Sequence, residues 1–253
     1  MAPRLALLHG FTQTGRSWAP LLPALATRFD VCTPDIPGHG ARAAVRAGMW
    51  EAADLLSGEC GAGRWLGYSM GGRLALHVAL TRPALVERLV LVGATVGLDD
   101  SAARAERRRA DEEGAARLER DGLDAFLAEW LAGPLFASLD PTAAGMEARR
   151  ENTAAGLAAS LRLAGTGAQE PLWDRLGELA MPVLCVAGER DGRFAALAGR
   201  MAASIGPNAG VALVPGAGHA AHLERPDAFL AAVLPFLLVP SREVTAPAGP
   251  SRE

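Results

Sequence analysis

Lysine is absent: all 25 basic residues of the 253-residue chain are arginine. Chemistry that depends on a lysine, such as a Schiff base or a P-loop, is therefore excluded. Cysteine is scarce. Cys32, Cys60 and Cys185 are an odd number without close spacing, which is neither a disulfide framework nor a zinc pattern. Cys32 and Cys185 fall in strand-like runs, where a free thiol serves as a small hydrophobe. No apolar stretch approaches the roughly 18 residues that a membrane-spanning helix needs. The apolar run at the start is too short for a signal peptide, so the cytoplasm is the expected compartment. An excess of positive charge is also missing. With 25 basic and 28 acidic residues the net charge is −3, which offers no field for nucleic acid.

What the chain has is apolar mass. Half of it is hydrophobic and 21% is charged, enough to bury a single core and too apolar for wholesale disorder. Short apolar runs recur at 5–8, 29–33, 64–67, 88–92, 183–187 and 211–214. Most are continuous rather than alternating, as befits strands buried on both faces. Helical patterns at 18–28, 49–56, 71–81, 195–205 and 226–237 separate them. This alternation reads as an α/β fold, a mostly parallel central sheet flanked by crossover helices. Between 94 and 180 the pattern breaks into Ala-, Arg- and Glu-rich helical sequence without a convincing strand. The expected organisation is a single domain over 1–238, with its core at 1–93 and 181–238 and an inserted helical cap at 94–180. Residues 239–253, rich in proline and poor in apolar side chains, read as a disordered tail.

Gly67-Tyr68-Ser69-Met70-Gly71 follows one expected strand and opens a helix. This is G-x-S-x-G in the strand–turn–helix context that the motif requires, with Ser69 on a sharp turn and a helix N-terminus aimed at it. A serine hydroxyl needs a base, and the base needs an orienting group. In this fold the order along the chain is Ser, then Asp or Glu, then His. Asp191 in Gly188-Glu189-Arg190-Asp191-Gly192 and His219 in Gly216-Ala217-Gly218-His219 both follow expected strands. Both therefore stand at the carboxyl edge of the sheet, where such folds place their sites. Four other residues compete with them. Glu189 is expected to face away from the loop tip. His222 reads as a surface residue at a helix start, His77 as a core or surface residue within a helix, and His39 as a structural residue on a glycine turn. His9-Gly10-Phe11 ends the first strand, so the backbone N–H groups of Phe11 and Met70 are the expected oxyanion hole. No metal or organic cofactor is expected, since the histidines form no i, i+4 pair and no Cys/His cluster of ligand spacing.

On these residues the chain resembles the α/β-hydrolase superfamily over nearly its whole length. Leu8-His9-Gly10-Phe11-Thr12, Asp35-Ile36-Pro37-Gly38-His39-Gly40 and the loops of Ser69 and His219 are generic to it. Arg73, Pro134-Leu135-Phe136-Ala137-Ser138-Leu139 and Gly165-Thr166-Gly167-Ala168-Gln169 are more specific, and Leu172-Trp173 completes the series. These resemble the MenH family, the 2-succinyl-6-hydroxy-2,4-cyclohexadiene-1-carboxylate synthases of menaquinone biosynthesis. One departure is that the sequence starts almost directly at the strand bearing His9-Gly10, so the leading β-hairpin usual in the family is expected either to be missing or to lie ahead of this start.

The resemblance implies an elimination rather than a hydrolysis. Ser69, activated by His219 and oriented by Asp191, removes a ring proton from 2-succinyl-5-enolpyruvyl-6-hydroxy-3-cyclohexene-1-carboxylate, and pyruvate leaves. So small a polycarboxylate calls for arginines. The resemblance nominates Arg73, Arg107 and Arg150, with Tyr68 and Trp130 in the pocket wall. The register within Arg107-Arg108-Arg109 is open. No nucleic acid, membrane insertion or obligate protein partner is implied. A carboxylesterase or C–C bond hydrolase on the same triad is the competing expectation, and pocket charge separates it from the elimination enzyme. A non-catalytic binding module is a third, opposed by the intact Ser69, Asp191 and His219.

Overall fold

The computed structural model describes residues 2–240. Six strands form one sheet: β1 (Arg4–Leu8), β2 (Asp30–Cys32), β3 (Gly63–Tyr68), β4 (Val86–Val92), β5 (Val183–Gly188) and β6 (Ala209–Val214). Their spatial order is β2-β1-β3-β4-β5-β6, and every neighbouring pair is parallel. The expected strands are all present, shifted by no more than two residues at their ends.

Because side chains alternate along a strand, each strand feeds two cores. Ala6, Leu8, Trp65, Leu89, Leu91 and Cys185 pack on one face against α2 (Met49–Cys60), α3 (Met70–Thr81) and α8 (Gly192–Ile205). Leu5, Leu7, Leu66, Tyr68, Val90 and Val186 face the other way. There they meet α1 (Leu22–Leu25) and α10 (Pro226–Leu238) through Leu25, Phe229, Val233 and Leu237. The first helix is much shorter than the 18–28 expected. Pro20 and Pro23 each remove a backbone donor, so the segment breaks into a 3-10 turn at Gly15–Trp18 and the single turn of α1.

Between β4 and β5 the described chain is helical: α4 (Ser101–Asp121), α5 (Leu123–Ala132), α6 (Met146–Arg149) and α7 (Ala154–Ala164). Ala115, Leu118, Phe126, Leu157 and Leu161 give this layer a small core of its own, with Phe11 of the sheet edge and Trp130 packed against it. Its attachment to the sheet is polar and buried. Asn152 donates to the Thr12 carbonyl at 2.8 Å and accepts from the Gly40 N–H at 2.9 Å.

Of the expected tail, 241–253 lie outside the described residues. Val239 and Pro240 do not fit that expectation: Arg88 Nε donates to the Val239 carbonyl at 3.1 Å and Arg88 Nη2 to that of Pro240 at 3.4 Å. Among the described residues no helix is long and apolar enough to cross a membrane.

Candidate active site

Ser69 caps α3 with φ 51° and ψ −109°, a left-handed conformation that non-glycine residues rarely adopt. The turn holds because backbone closes on backbone around it. A Cβ on Gly67 would lie 2.2 Å from the Gly71 carbonyl oxygen, and one on Gly71 would lie 2.1 Å from that of Leu8. The Ser69 N–H extends the sheet ladder to Val92 O at 2.8 Å. Met70 is the first residue of α3 and Phe11 ends the β1 loop. In the neighbouring turns the Gly10 and Ser69 N–H groups have acceptors, Gln13 Oε1 and Val92 O. Among the described residues the N–H groups of Phe11 and Met70 have none, as an oxyanion hole requires.

Asp191 and His219 meet across the ends of β5 and β6. His219 Nδ1 donates to Asp191 Oδ2 at 2.9 Å, and Asp191 Oδ1 accepts from the Phe194 N–H at 3.2 Å as the cap of α8. Burial pushes the Asp191 carboxyl up, but the bonds from His219 and Phe194 outweigh it and hold it below the ordinary carboxylate value. With Nδ1 so engaged, Nε2 is the ring nitrogen left for Ser69. Ser69 and His219 line one inner cavity of about 100 Å³. Among the described residues no hydrogen bond joins Ser69 Oγ to the imidazole, a looseness common before substrate closes a site.

Of the rival residues, Glu189 lines neither cavity and accepts from the Gly216 N–H at 2.8 Å. His39 is buried and structural, accepting from Thr12 N–H at 3.3 Å while its Nδ1 donates to Pro37 O at 3.1 Å. His77 is a core residue of α3 whose Nδ1 donates to the Arg73 carbonyl at 2.7 Å. His222 corrects the expectation: it is fully buried, not on the surface. The short helix α9 (Ala221–Glu224) turns it inward against Trp18, Tyr68 and Phe229, with ring centroids at 4.7, 4.4 and 6.1 Å.

The nominated substrate residues divide. Arg73 is 5% exposed and lines the inner cavity beside Ser69, Met70 and His219. Its Nη1 donates to Ala164 O at 2.9 Å and Gln169 Oε1 at 3.2 Å. Among the described residues no carboxylate pairs with it. Burial and the charge of Arg107 lower it to about 10, so it stays protonated. Arg107, and neither Arg108 nor Arg109, lines both the inner cavity and an adjoining outer one of about 920 Å³. Its Nε is held by Asp111 Oδ1 at 2.7 Å. Trp130 also lines both, edge-on to Phe11 at 5.3 Å.

Arg150 and Tyr68 are not part of the wall. Arg150 is exposed and paired with Asp124 at 2.8 Å. The buried residue is Arg149, one position earlier, donating from Nε to Ala144 O at 2.7 Å and from Nη1 to Thr12 Oγ1. Arg149 borders neither cavity. Tyr68 belongs to the opposite sheet face and lies beneath His219, its ring centroid 5.4 Å from the imidazole.

Three residues to which the sequence reading assigns no role support the site. Asp111 binds Arg107 and also accepts from the Gly167 N–H at 2.9 Å, and its i, i+4 spacing from Arg107 was a readable signal. Gln169 holds Arg73. Glu224 accepts from the Gly218 and Ala220 N–H groups at 2.7 and 3.0 Å, one on each side of His219, and from Ser138 Oγ at 2.8 Å.

The chain belongs to the alpha/beta hydrolase family, whose pattern matches residues 5–232. More particularly, it is 36% identical over 238 residues to the 2-succinyl-6-hydroxy-2,4-cyclohexadiene-1-carboxylate synthase of Salmonella paratyphi C, covering 89% of this chain and 90% of that one. To the enzyme of the same name from Escherichia coli O1:K1 it is 34% identical over 243 residues, 93% of this chain and 94% of the other. Among solved structures it is similar to MenH from S. aureus, with a TM-score of 0.85, 32% identity and 92% of both chains covered. A thermophilic esterase from Thermogutta terrifontis, with malate bound, is 26% identical with a TM-score of 0.77, over 92% of this chain and 88% of that one.

Proposed function

We propose that the protein is a 2-succinyl-6-hydroxy-2,4-cyclohexadiene-1-carboxylate synthase, a carbon–oxygen lyase of menaquinone biosynthesis. The observation that carries this reading is Arg73: a buried guanidinium that no carboxylate contacts, Asp111 acting on it only at longer range, in the wall of the cavity that holds Ser69. A buried unpaired charge is costly. A neutral ester gives it no counter-charge, whereas a substrate carboxylate completes it. The relatives named for this synthase support the same assignment.

The chemistry follows from comparing substrate and product. The 5-enolpyruvyl-3-cyclohexene becomes a 2,4-cyclohexadiene, so a proton leaves ring carbon 2 and the carbon–oxygen bond at carbon 5 breaks. The enolpyruvyl group departs and is protonated to pyruvate. Ser69 Oγ takes the ring proton while His219 takes the hydroxyl proton, and Asp191 stabilises the imidazolium. Carbon 2 carries the succinyl carbonyl, so negative charge develops on that oxygen. The N–H groups of Phe11 and Met70 are the donors for it. Arg73 and Arg107 bind carboxylates of the ring and side chain, and Trp130 covers the ring. Arg190 and Arg193 border the outer cavity and add positive charge for a polyanion, while Arg117 on the same wall is paired with Glu129 at 3.6 Å. The cytoplasm is the compartment of this reading, since so highly charged a substrate does not cross a bilayer unaided.

The deciding experiment is an assay of pyruvate release from the enolpyruvyl substrate. Release with matching formation of the diene is expected. Absence of both, in a protein that still hydrolyses p-nitrophenyl acetate, would give the site to the esterase reading.

A further inference from the structure

Cys32 ends the edge strand β2, Cys60 ends helix α2, and their Sγ atoms lie 3.1 Å apart although 28 residues separate them in sequence. Both are free thiols. Arg4 of β1 is fixed over the pair. It donates from Nε to the Cys60 carbonyl and from Nη2 to that of Glu59 at 3.3 Å, and pairs through Nη1 with Asp30 at 2.8 Å. A cation beside two touching thiols is an environment that selects the thiolate.

The two sulfurs are not equivalent. Cys60 is buried, while Cys32 is half-buried at the sheet edge. Despite opposing burial, the Sγ–Sγ hydrogen bond with Cys60 and the Arg4 charge lower Cys32 to about 7. The same bond, with burial, pushes Cys60 up. Burial pushes Cys185 on β5 up to about 12, and among the described residues no hydrogen bond joins it to another cysteine. The arrangement is a half-buried attacking thiol backed by a buried resolving one. Closing the contact by about 1 Å reaches disulfide bonding distance.

We propose that Cys32 and Cys60 form a thiol–disulfide exchange site, at which a low-molecular-weight disulfide converts the pair to an intramolecular disulfide that joins β2 to α2. Cys32 thiolate attacks one sulfur of the incoming disulfide, whose S–S bond breaks and releases one thiol. Cys60 then loses its proton, attacks Cys32 Sγ and expels the second thiol. Two cysteines are oxidised and one external disulfide is reduced to two thiols, so the reaction reverses when thiol is in excess. Neither residue touches the cavities around Ser69, so the site stands apart from the elimination chemistry.

The test uses the full chain and glutathione disulfide near neutral pH, followed by alkylation, tryptic digestion and mass spectrometry. The expected result is a joined pair of peptides, 29–42 and 47–64, two hydrogens lighter than their sum. Peptide 176–190, which carries Cys185, stays unjoined, and dithiothreitol restores both thiols. Cys60→Ser is expected to trap glutathione on Cys32, and Cys32→Ser to slow modification of Cys60 by about tenfold or more. Three results would overturn the proposal: no joined peptide in the folded protein, joining that needs urea, or glutathione that persists on Cys32 of the unaltered chain.

Discussion

The backbone N–H of Arg73 donates to the Ser69 carbonyl at 3.1 Å, closing the first turn of α3. The strained serine and the buried guanidinium are therefore parts of one rigid turn. Substituting Arg73 tests what that turn is for. Charge-assisted hydrogen bonds contribute roughly 1.5–3 kcal/mol each, about tenfold to hundredfold in rate. Arg73→Ala is expected to lower kcat/KM for the polycarboxylate by at least that range and to leave hydrolysis of p-nitrophenyl acetate nearly unchanged. Equal losses on both substrates would mean that Arg73 only supports the elbow. Arg150→Ala, which removes an exposed partner of Asp124, is expected to leave both activities within about twofold.

Ser69, His219 and Asp191 are expected to act as one unit. Ser69→Ala and His219→Ala should each reduce turnover by several powers of ten, and the double substitution should cost little more. Asp191→Asn should cost less than or as much as either, because it disturbs the tautomer and orientation of His219 without removing it. Single-turnover measurement of all four variants checks this, and losses that multiply would break the shared proton path.

Glu224 holds the backbone on both sides of His219 and reaches Ser138 of the overlying segment. Glu224→Gln replaces one accepting oxygen by a donor, so at least one of the two N–H groups loses its acceptor. A fall in kcat of about tenfold with KM little changed is expected. Ser138→Ala, which cuts only the bond to the overlying segment, should change KM more than kcat. Unchanged kinetics in Glu224→Gln would show that the loop holds its shape without the clamp.

Acid should destabilise the fold well before the carboxylates titrate. Burial is the main cause that lowers His9 and His77 to about 4 and His39 and His222 to about 3, from 6.5 in the unfolded chain. Between pH 6.5 and about 4 the unfolded chain binds more protons, so stability rises with pH through that window and is lost as pH falls. Each histidine contributes about 1.4 kcal/mol per pH unit there. Urea midpoints at pH 7.5, 6 and 5 are expected to decline accordingly. His222→Leu should remove roughly one quarter of the slope, and an unaltered slope would disprove its part in it.

The strands were legible because runs such as 88–92 and 183–187 are buried on both faces and so carry no polar alternation to confuse them. Ser69 was legible because its glycines sit where backbone touches backbone. What escaped was orientation within short elements. Arg149 and Arg150 differ by about 100° around a helix of one turn, and nothing local chooses between them until Thr12 and Ala144 supply acceptors. Tyr68 follows strand parity, a signal present in the sequence. It shares its face with Leu66, opposite the face from which α3 carries Arg73. His222 shows the same effect, since only tertiary packing turns a single-turn helix toward the core.

Arg64 and Arg88 lie near the starts of β3 and β4, and both donate to the Val239 carbonyl, at 3.4 and 3.1 Å. Pro240 is thereby moored at the amino edge of the sheet, across its full width from Ser69. A fusion partner or a surface tether attached at Pro240 itself would therefore start from the edge of the sheet opposite Ser69. That makes this end of the molecule the one to use for immobilising the protein in binding and turnover measurements.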